Sequence, residues 1–136
     1  MPPVAAIPVP AVVSAYRSPS CGCCKGWLDH LRQAGFTVKD YVTSNLASIK
    51  QRYGVPPQLQ SCHTARIGGY TVEGHIPVSA IQRLLKERPQ VAGIAVPGMP
   101  LGSPGMESPF KTESYTVFTF TESGRTQAFQ TVEGDG

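Results

Sequence analysis

At 136 residues and a formal charge of only +3, the chain has the size of one ordinary domain and no strong charge bias. Its basic residues form no run and no aromatic stripe is interleaved with them, which argues against nucleic-acid binding. No stretch approaches about eighteen consecutive apolar residues, so the sequence predicts no membrane span. The first residues lack a basic region and a long apolar core, and they do not form an intact signal peptide.

The first two thirds of the chain alternate between strand and helix patterns. Residues 1–10 alternate proline with small apolar residues and predict an extended lead-in, followed by a short buried strand that ends near Tyr16. A helix comes next, with Trp27 on its apolar stripe and therefore predicted to lie in the core, and it stops at Gly35. The pattern continues with a strand over residues 36–42, a short helix ended by Gly54, a glycine-turn hairpin over 65–72 and a helix from about Pro77.

The pattern breaks at residues 91–109, which are rich in proline and glycine and predict a long loop. Within it, residues 97–109 contain Met99 and Met106, two of the three methionines of the chain. Two alternating runs joined by a Glu-Ser-Gly turn then predict a C-terminal β-hairpin over residues 114–131.

Three of the four cysteines, Cys21, Cys23 and Cys24, lie within four residues at the junction of the first strand and the first helix. The free amides and the dipole of a helix N-terminus stabilise thiolates, which both metal binding and disulfide chemistry require. As a structural disulfide framework the spacing is poor, because a bridge between Cys21 and Cys24 closes almost no chain. We therefore predict metal binding by these thiols, and dithiol–disulfide exchange by Cys21 and Cys24 stays open as the alternative.

The donor type and the spacing favour Cu(I) over zinc. Thiolates and thioethers select Cu(I), whereas a four-sulfur zinc site usually takes its ligands from two Cys-X-X-Cys-like pairs, and this chain has one. We expect the adjacent Cys23 and Cys24 side chains to diverge and therefore to chelate a single ion poorly. Thiolates that bridge several Cu(I) ions accommodate this geometry better, which predicts a multinuclear cluster.

The order of elements resembles that of thioredoxin, and Cys21-Gly22-Cys23-Cys24-Lys25 resembles the thioredoxin Cys-Gly-Pro-Cys-Lys site. In that fold a segment ending in a cis-proline precedes the third strand and lies against the active site. By its position Cys62-His63-Thr64 resembles this segment, with His63 in the place of the proline. The resemblance implies one α/β domain of thioredoxin-like fold over residues 11–136, with a central mixed sheet flanked by helices and Cys62 brought to the cysteine motif.

Four separated motifs also resemble a bacterial family of small thioredoxin-like proteins, a domain of unknown function associated with copper resistance. This resemblance implies an exported, periplasmic protein from which a signal peptide has been removed, and copper binding by the cysteines as a multinuclear cluster. Other periplasmic copper proteins are the partners that we expect. The motifs are Cys-Gly-Cys-Cys-Lys-Gly-Trp, Ser-Cys-His-Thr, Glu-Gly-His-Ile-Pro and Val-Pro-Gly-Met-Pro-Leu-Gly-Ser-Pro-Gly-Met-Glu, in this order over about residues 11–109.

Two histidines and two methionines are additional candidates for binding or orienting a metal. For His63 an orienting role is nearly as well supported as coordination. For His75, just before a helix, a capping or surface role competes evenly with coordination. Met99 and Met106 lie in a loop with almost no other large apolar residue, which weakens a packing explanation for them.

The predicted function is therefore Cu(I) binding by Cys21, Cys23, Cys24 and Cys62 in copper handling or resistance, with copper redox cycling as an added activity. No catalytic residue is assigned, and enzymatic turnover stays open. Two alternatives remain: a thiol–disulfide oxidoreductase that uses Cys21 and Cys24, and a copper-delivery protein that binds its partner through the methionine loop.

Overall fold

A computed structural model describes residues 12–107 and 112–134. The predicted lead-in over residues 1–10, the first residue of the predicted first strand and the end of the methionine loop at 108–109 lie outside this range. The elements are β1 (Val12–Arg17), α1 (Gly22–Gln33), β2 (Thr37–Val42), α2 (Leu46–Arg52), a 3₁₀ turn (Pro57–Leu59), β3 (His63–Ile67), β4 (Tyr70–Glu73), α3 (Val78–Glu87), β5 (Gly93–Ala95), β6 (Tyr115–Phe120) and β7 (Thr126–Val132).

The seven strands form one mixed sheet in the order β2-β1-β3-β4-β5-β6-β7. β1 is parallel to β2, and β4 is parallel to β5, whereas the other four neighbouring pairs are antiparallel. Side chains from the central strands and from two of the helices pack into one apolar cluster. The prediction of an α/β domain with a mixed sheet is therefore confirmed.

Two helices bury the apolar stripes that the sequence predicted. α1 contributes Trp27, Leu28 and Leu31 to the core and α3 contributes Ile81 and Leu84, all at most 2% exposed. The spacing of three and four residues puts each set on one helical face, where burial removes its apolar surface from water. In residues 12–107 and 112–134, no helix has the length and apolar character needed to cross a bilayer.

The prediction that residues 91–109 form one uninterrupted loop is wrong at Gly93–Ala95, which form β5. This short strand pairs with β4 on one side and with β6 on the other, so it connects the C-terminal hairpin to the rest of the sheet. A Cβ on Gly93 would lie 2.0 Å from the Thr71 carbonyl oxygen, so only glycine fits there. Because glycine is depleted in strands, the local sequence did not indicate that Gly93–Ala95 form a strand.

The C-terminal hairpin is confirmed. β6 and β7 are antiparallel, with an irregularity in register between Val117 and Phe118. Val117 and Phe120 are fully buried, and β6 lies beside β5 in the sheet. The hairpin therefore extends the sheet on the side opposite to β2.

Candidate metal centre

The three clustered cysteines lie where β1 gives way to α1. Cys21 occupies the N-cap position of α1 with extended backbone angles, and the helix begins at Gly22, so Cys23 and Cys24 belong to its first turn. Cys24 is 1% exposed, whereas Cys21 and Cys23 are partly accessible. The sulfurs therefore surround the N-terminus of a helix of 12 residues, where the helix dipole favours negative charge.

Cys62 reaches this motif because of the pairing between β1 and β3. The two strands are antiparallel, and Arg17 at the end of β1 lies opposite His63 at the start of β3. The Cys62 sulfur is consequently 3.9 Å from the Cys23 sulfur, across 39 residues of sequence. All four cysteine sulfurs lie within 4.8 Å of one another.

Cys21 and Cys24 are joined by a disulfide, and Cys23 and Cys62 are free thiols. The expectation that Cys23 and Cys24 diverge is wrong, because both of their sulfurs belong to the group of four. The bridge draws Cys24 back to Cys21, and the Cys23 sulfur lies only 3.5 Å from the Cys21 sulfur. The Cys21–Cys24 bridge closes too short a loop to stabilise the fold much, and it lies inside the candidate site itself.

Both candidate histidines are buried and direct one ring nitrogen at the sulfurs. His63 Nε2 lies 2.8 Å from the Gly74 carbonyl, which can only accept, so Nε2 carries the proton. Its Nδ1 is then the free acceptor, 3.2 Å from the Cys24 sulfur and 3.4 Å from the Cys62 sulfur. His75 has the opposite tautomer, because Nδ1 donates to the Pro104 carbonyl at 2.6 Å and Nε2 lies 3.1 Å from the Cys62 sulfur.

The surface or capping role considered for His75 is wrong, because its exposure is 0% and the N-cap of α3 is Pro77. Loop residues after β5 enclose the His75 ring. The position of His75 just before α3 in the sequence does not predict this burial. His63 is 1% exposed, and its ring lies 4.4 Å, centroid to centroid, from the Trp27 ring. Trp27 itself is buried, as predicted, and donates from its indole nitrogen to the Ile76 carbonyl at 2.9 Å.

Burial sets the protonation of the site. It lowers the pKa of His63 to about 3, and it is also the largest cause of the lowered pKa of His75. Burial raises the pKa of the Cys62 thiol to about 12, with a further contribution from the nearby Cys23 sulfur. The histidines are therefore neutral and able to act as ligands, and the Cys62 thiol is protonated at neutral pH, so a metal ion that binds it displaces that proton.

Acidification should destabilise the metal-free protein through His63. The unfolded chain protonates this histidine below about pH 6.5, whereas the folded chain keeps it neutral down to about pH 3. The free energy of unfolding is thus unaffected by this group above pH 6.5 and falls between pH 6.5 and pH 3. From pH 7 to pH 5 we expect about 2 kcal/mol of loss from His63, measured by urea unfolding.

The variant His63→Gln isolates this contribution. Between pH 7 and pH 5 its free energy of unfolding should fall by about 2 kcal/mol less than that of the wild type. His30→Gln is the matched control, because His30 is 41% exposed in the side chain and pairs with Glu107 outside the site. Equal pH dependence in His63→Gln and in the wild type would contradict the buried neutral state of His63.

The methionine loop closes over the first turn of α1. A Cβ on Gly105 would lie 2.6 Å from the Cys23 carbonyl oxygen and 2.9 Å from the Trp27 nitrogen, and its φ of +92° also favours glycine. This close approach brings the preceding Pro104 carbonyl to His75. Met99, 49% exposed, places its sulfur 3.6 Å from the Cys23 sulfur. Met106 is partly buried, and within the described ranges its sulfur makes no comparable contact with a cysteine.

The chain has relatives among known families and solved structures. Residues 59–106 match a family described as protein of unknown function, DUF411. A solved structure described as copper resistance protein CopG, form 1, is 43% identical with a TM-score of 0.87, covering 92% of this chain and 99% of that chain. The chain belongs to the CopG family. Form 2 of CopG aligns at 43% identity with a TM-score of 0.86, covering 90% of this chain and 98% of that one. A search of curated proteins finds no match.

The family that the four motifs resembled is thus confirmed. The DUF411 match contains Cys62, both candidate histidines and both methionines, whereas the cysteine motif at residues 21–24 precedes it. The CopG alignments extend over most of the chain.

This member of the CopG family also contains a buried ion pair that sequence reasoning missed. Lys50 of α2 and Glu73 of β4 pair directly, and their side chains are 7% and 0% exposed. Lys50 also donates to Thr64 Oγ1 at 3.1 Å, and Thr64 Oγ1 donates to Glu73 Oε1 at 2.6 Å. Glu73 Oε2 accepts the Ser61 backbone N–H at 2.8 Å. The network holds both ends of the segment that carries Cys62 and His63.

No local signal pointed to this pair. The apolar residues that indicate this helix in the sequence are only partly buried, and Lys50 is the buried residue of α2; these apolar residues are Leu46, Ile49 and Tyr53. Glu73 ends a strand whose four residues are all buried. A lysine and a glutamate 23 residues apart become partners only when α2 packs beside β3 and β4.

Proposed function

We propose that this protein binds Cu(I) through Cys21, Cys23, Cys24 and Cys62 and acts in copper handling or resistance in the periplasm. The observation that carries the proposal is the convergence of four cysteine sulfurs within 4.8 Å, one of them from a distant segment. The solved relatives at 43% identity are described as copper resistance proteins, which supports copper as the metal. Copper ions and other periplasmic copper proteins are the partners that we propose.

The donor set favours Cu(I) over a single zinc ion. Because the four sulfurs lie together, divergence of Cys23 and Cys24 no longer argues against a four-sulfur zinc site. The thioether of Met99 beside Cys23 adds a ligand type that selects Cu(I). Four thiolates, one thioether and two imidazoles are more ligands than a single ion coordinates. We therefore propose a multinuclear Cu(I) cluster. Imidazoles suit Cu(II) as well, which supports copper redox cycling at the same site.

We also propose that the fold is thioredoxin-like. Its support is the arrangement β2-β1-β3-β4, in which β1 and β2 are parallel and β3 is antiparallel to both of its neighbours. The cysteine motif lies between β1 and α1, and Cys62-His63 enters β3 beside it.

The disulfide favours one second candidate, a thiol–disulfide oxidoreductase. Reduction of the Cys21–Cys24 bridge takes up two electrons and two protons and releases two thiols. Cys21 is partly exposed and Cys24 is buried, which suits an attacking and a resolving thiol. Delivery of copper to a partner protein is a third candidate, supported by the exposure of Met99 at the cysteines.

Copper stoichiometry of the reduced protein separates the first two candidates. We expect the metal-free chain, reduced with a dithiol that is then removed, to bind more than one Cu(I) per chain under anaerobic titration. In Cys23→Ser the number of bound ions should fall, because this variant removes a sulfur central to the group, whereas dithiol exchange by Cys21 and Cys24 should persist. Elemental analysis and reduction kinetics measure the two quantities.

Ser20→Ala is the matched control, since Ser20 is exposed in the same segment and contributes no sulfur. A ratio no higher than one in the reduced wild type would contradict the cluster. Unchanged copper stoichiometry in Cys23→Ser, together with intact disulfide exchange, would favour the oxidoreductase instead.

A further inference from the structure

Three potential ligand atoms outside the cysteine motif remain available while the disulfide is closed. Cys62 is a free thiol, and His63 and His75 each present an unprotonated ring nitrogen to it. The three donor atoms lie within 4.8 Å of one another. They come from the start of β3 and from the segment after β4, so none of them belongs to the cysteine motif.

The outer hydrogen bonds of both histidines are those of metal ligands. A coordinating histidine almost always donates its other N–H to a carbonyl or a carboxylate, which fixes the tautomer and the ring orientation. His63 does so to Gly74, and His75 does so to Pro104, in opposite tautomers. The Cys62 thiol carries one proton, so it can donate to only one of the two ring nitrogens that face it.

The spacing of the donors also fits one ion. Sulfur and nitrogen ligands at about 2.3 and 2.0 Å from a shared ion lie roughly 3.5–3.8 Å apart. The Cys62 sulfur is 3.4 Å from His63 Nδ1 and 3.1 Å from His75 Nε2, so the donors need to separate by only a few tenths of an ångström. The two rings meet edge to face at 5.0 Å between centroids, which leaves both nitrogens free to point at a common centre.

We infer that the disulfide form of this protein holds one Cu(I) ion at a separate three-ligand site made by Cys62 Sγ, His63 Nδ1 and His75 Nε2. The inference rests on the proposed function for the identity of the metal. Binding forms a Cys62 sulfur–copper bond and releases the thiol proton to solvent, with no change in oxidation state.

Zinc almost always takes four ligands at such sites, and Cys24 Sγ, 3.2 Å from His63 Nδ1, is already in the disulfide. The free thiol of Cys23, 3.9 Å from Cys62 Sγ, has the Met99 thioether at 3.6 Å, a donor type that selects Cu(I) rather than zinc. Three-coordinate Cu(I) is therefore the better match.

The site gives the protein two binding states. With the disulfide closed it holds one ion on the histidine side of Cys62. With the disulfide reduced, the same Cys62 joins three further thiols, and the multinuclear cluster becomes possible. Cys62 is the residue that the two states share.

The test uses the full chain in its disulfide form, with two free thiols per chain verified by thiol counting. Cu(I) is supplied anaerobically as its acetonitrile complex, without thiol reductant, in competition with a chromogenic Cu(I) chelator. We expect one Cu(I) per chain. Affinity should fall more than about 100-fold in His75→Gln, because loss of an outer partner alone costs 10- to 100-fold. His30→Gln, the matched histidine control, should keep wild-type affinity.

A second measurement on the wild-type chain needs no variant to fold. Long-range ¹⁵N–¹H spectra of the histidines should show the Nε2–H tautomer for His63 and the Nδ1–H tautomer for His75. One equivalent of Cu(I) should shift His63 Nδ1 and His75 Nε2 and leave His30 unaffected.

The results discriminate this inference from the proposed function. No binding by the disulfide form, binding that His75→Gln keeps, or unshifted ring nitrogens would each overturn the three-ligand site. If the disulfide form binds none and the reduced form binds several, only the three-ligand site fails. If both forms bind one ion, the site stands and the multinuclear cluster fails.

Discussion

Replacing Cys62 by serine should remove most of the copper affinity of the reduced protein. Cys62 is the one cysteine that comes from outside the motif, and its sulfur lies near Cys23, His63 and His75 at once. A serine hydroxyl is a hard ligand that Cu(I) does not select. We expect the affinity for the most tightly held ion to fall more than about 100-fold, equivalent to roughly 3 kcal/mol, in a chelator competition.

The fold should survive this substitution, because serine is nearly isosteric and Cys62 is only partly buried. Circular dichroism and thermal unfolding of the metal-free variant provide that control. Wild-type copper stoichiometry and affinity in a folded Cys62→Ser protein would show that the motif cysteines bind copper without the β3 segment, and the proposed site would be wrong.

Replacing Lys50 by methionine should cost about 3–5 kcal/mol of the free energy of unfolding. The substitution keeps the length of the side chain but leaves the carboxylate of Glu73, 0% exposed, without its cation. Removing one partner of a buried pair is far more costly than removing both. The double variant Lys50→Met/Glu73→Gln should therefore recover much of the loss, since a neutral glutamine can still accept the Ser61 N–H.

Denaturant unfolding at pH 7 measures this cycle. Glu87→Gln is the matched control, because Glu87 pairs with Arg83 four residues away on the exposed face of α3 and should contribute at most about 0.5 kcal/mol. A Lys50→Met protein within about 1 kcal/mol of the wild type would contradict the structural importance of the pair. A double variant no more stable than Lys50→Met would contradict its electrostatic origin.

The strand and helix pattern around the site was predictable because its signals are local. The apolar spacing of Trp27, Leu28 and Leu31 specifies the buried face of α1, and Gly35 ends the helix. Cys21, Cys23 and Cys24 lie so close in sequence that any helix beginning near them brings them together. The soft donor type follows from residue identity alone.

The features that were missed depend on neighbours distant in sequence. Gly93–Ala95 become a strand only because β4 and β6 lie on either side with free backbone groups. Lys50 is buried because its ammonium group pairs with Glu73 and donates a hydrogen bond to Thr64. The apolar periodicity of its own helix does not predict that burial. The enclosure of His75 depends on Pro104, which is 29 residues away.

By itself, the sequence determined the class of chemistry: a trio of thiols at the N-terminus of a helix, with a fourth thiol and a histidine ahead of a later strand. Residue identity and short-range periodicity carry that information, since both act within a few turns of the chain. Only the tertiary structure decided which donors meet, which ring nitrogens are unprotonated and which ion pair holds the Cys62 segment. Those outcomes depend on strand register and on backbone carbonyls contributed by distant segments, and no local pattern encodes them.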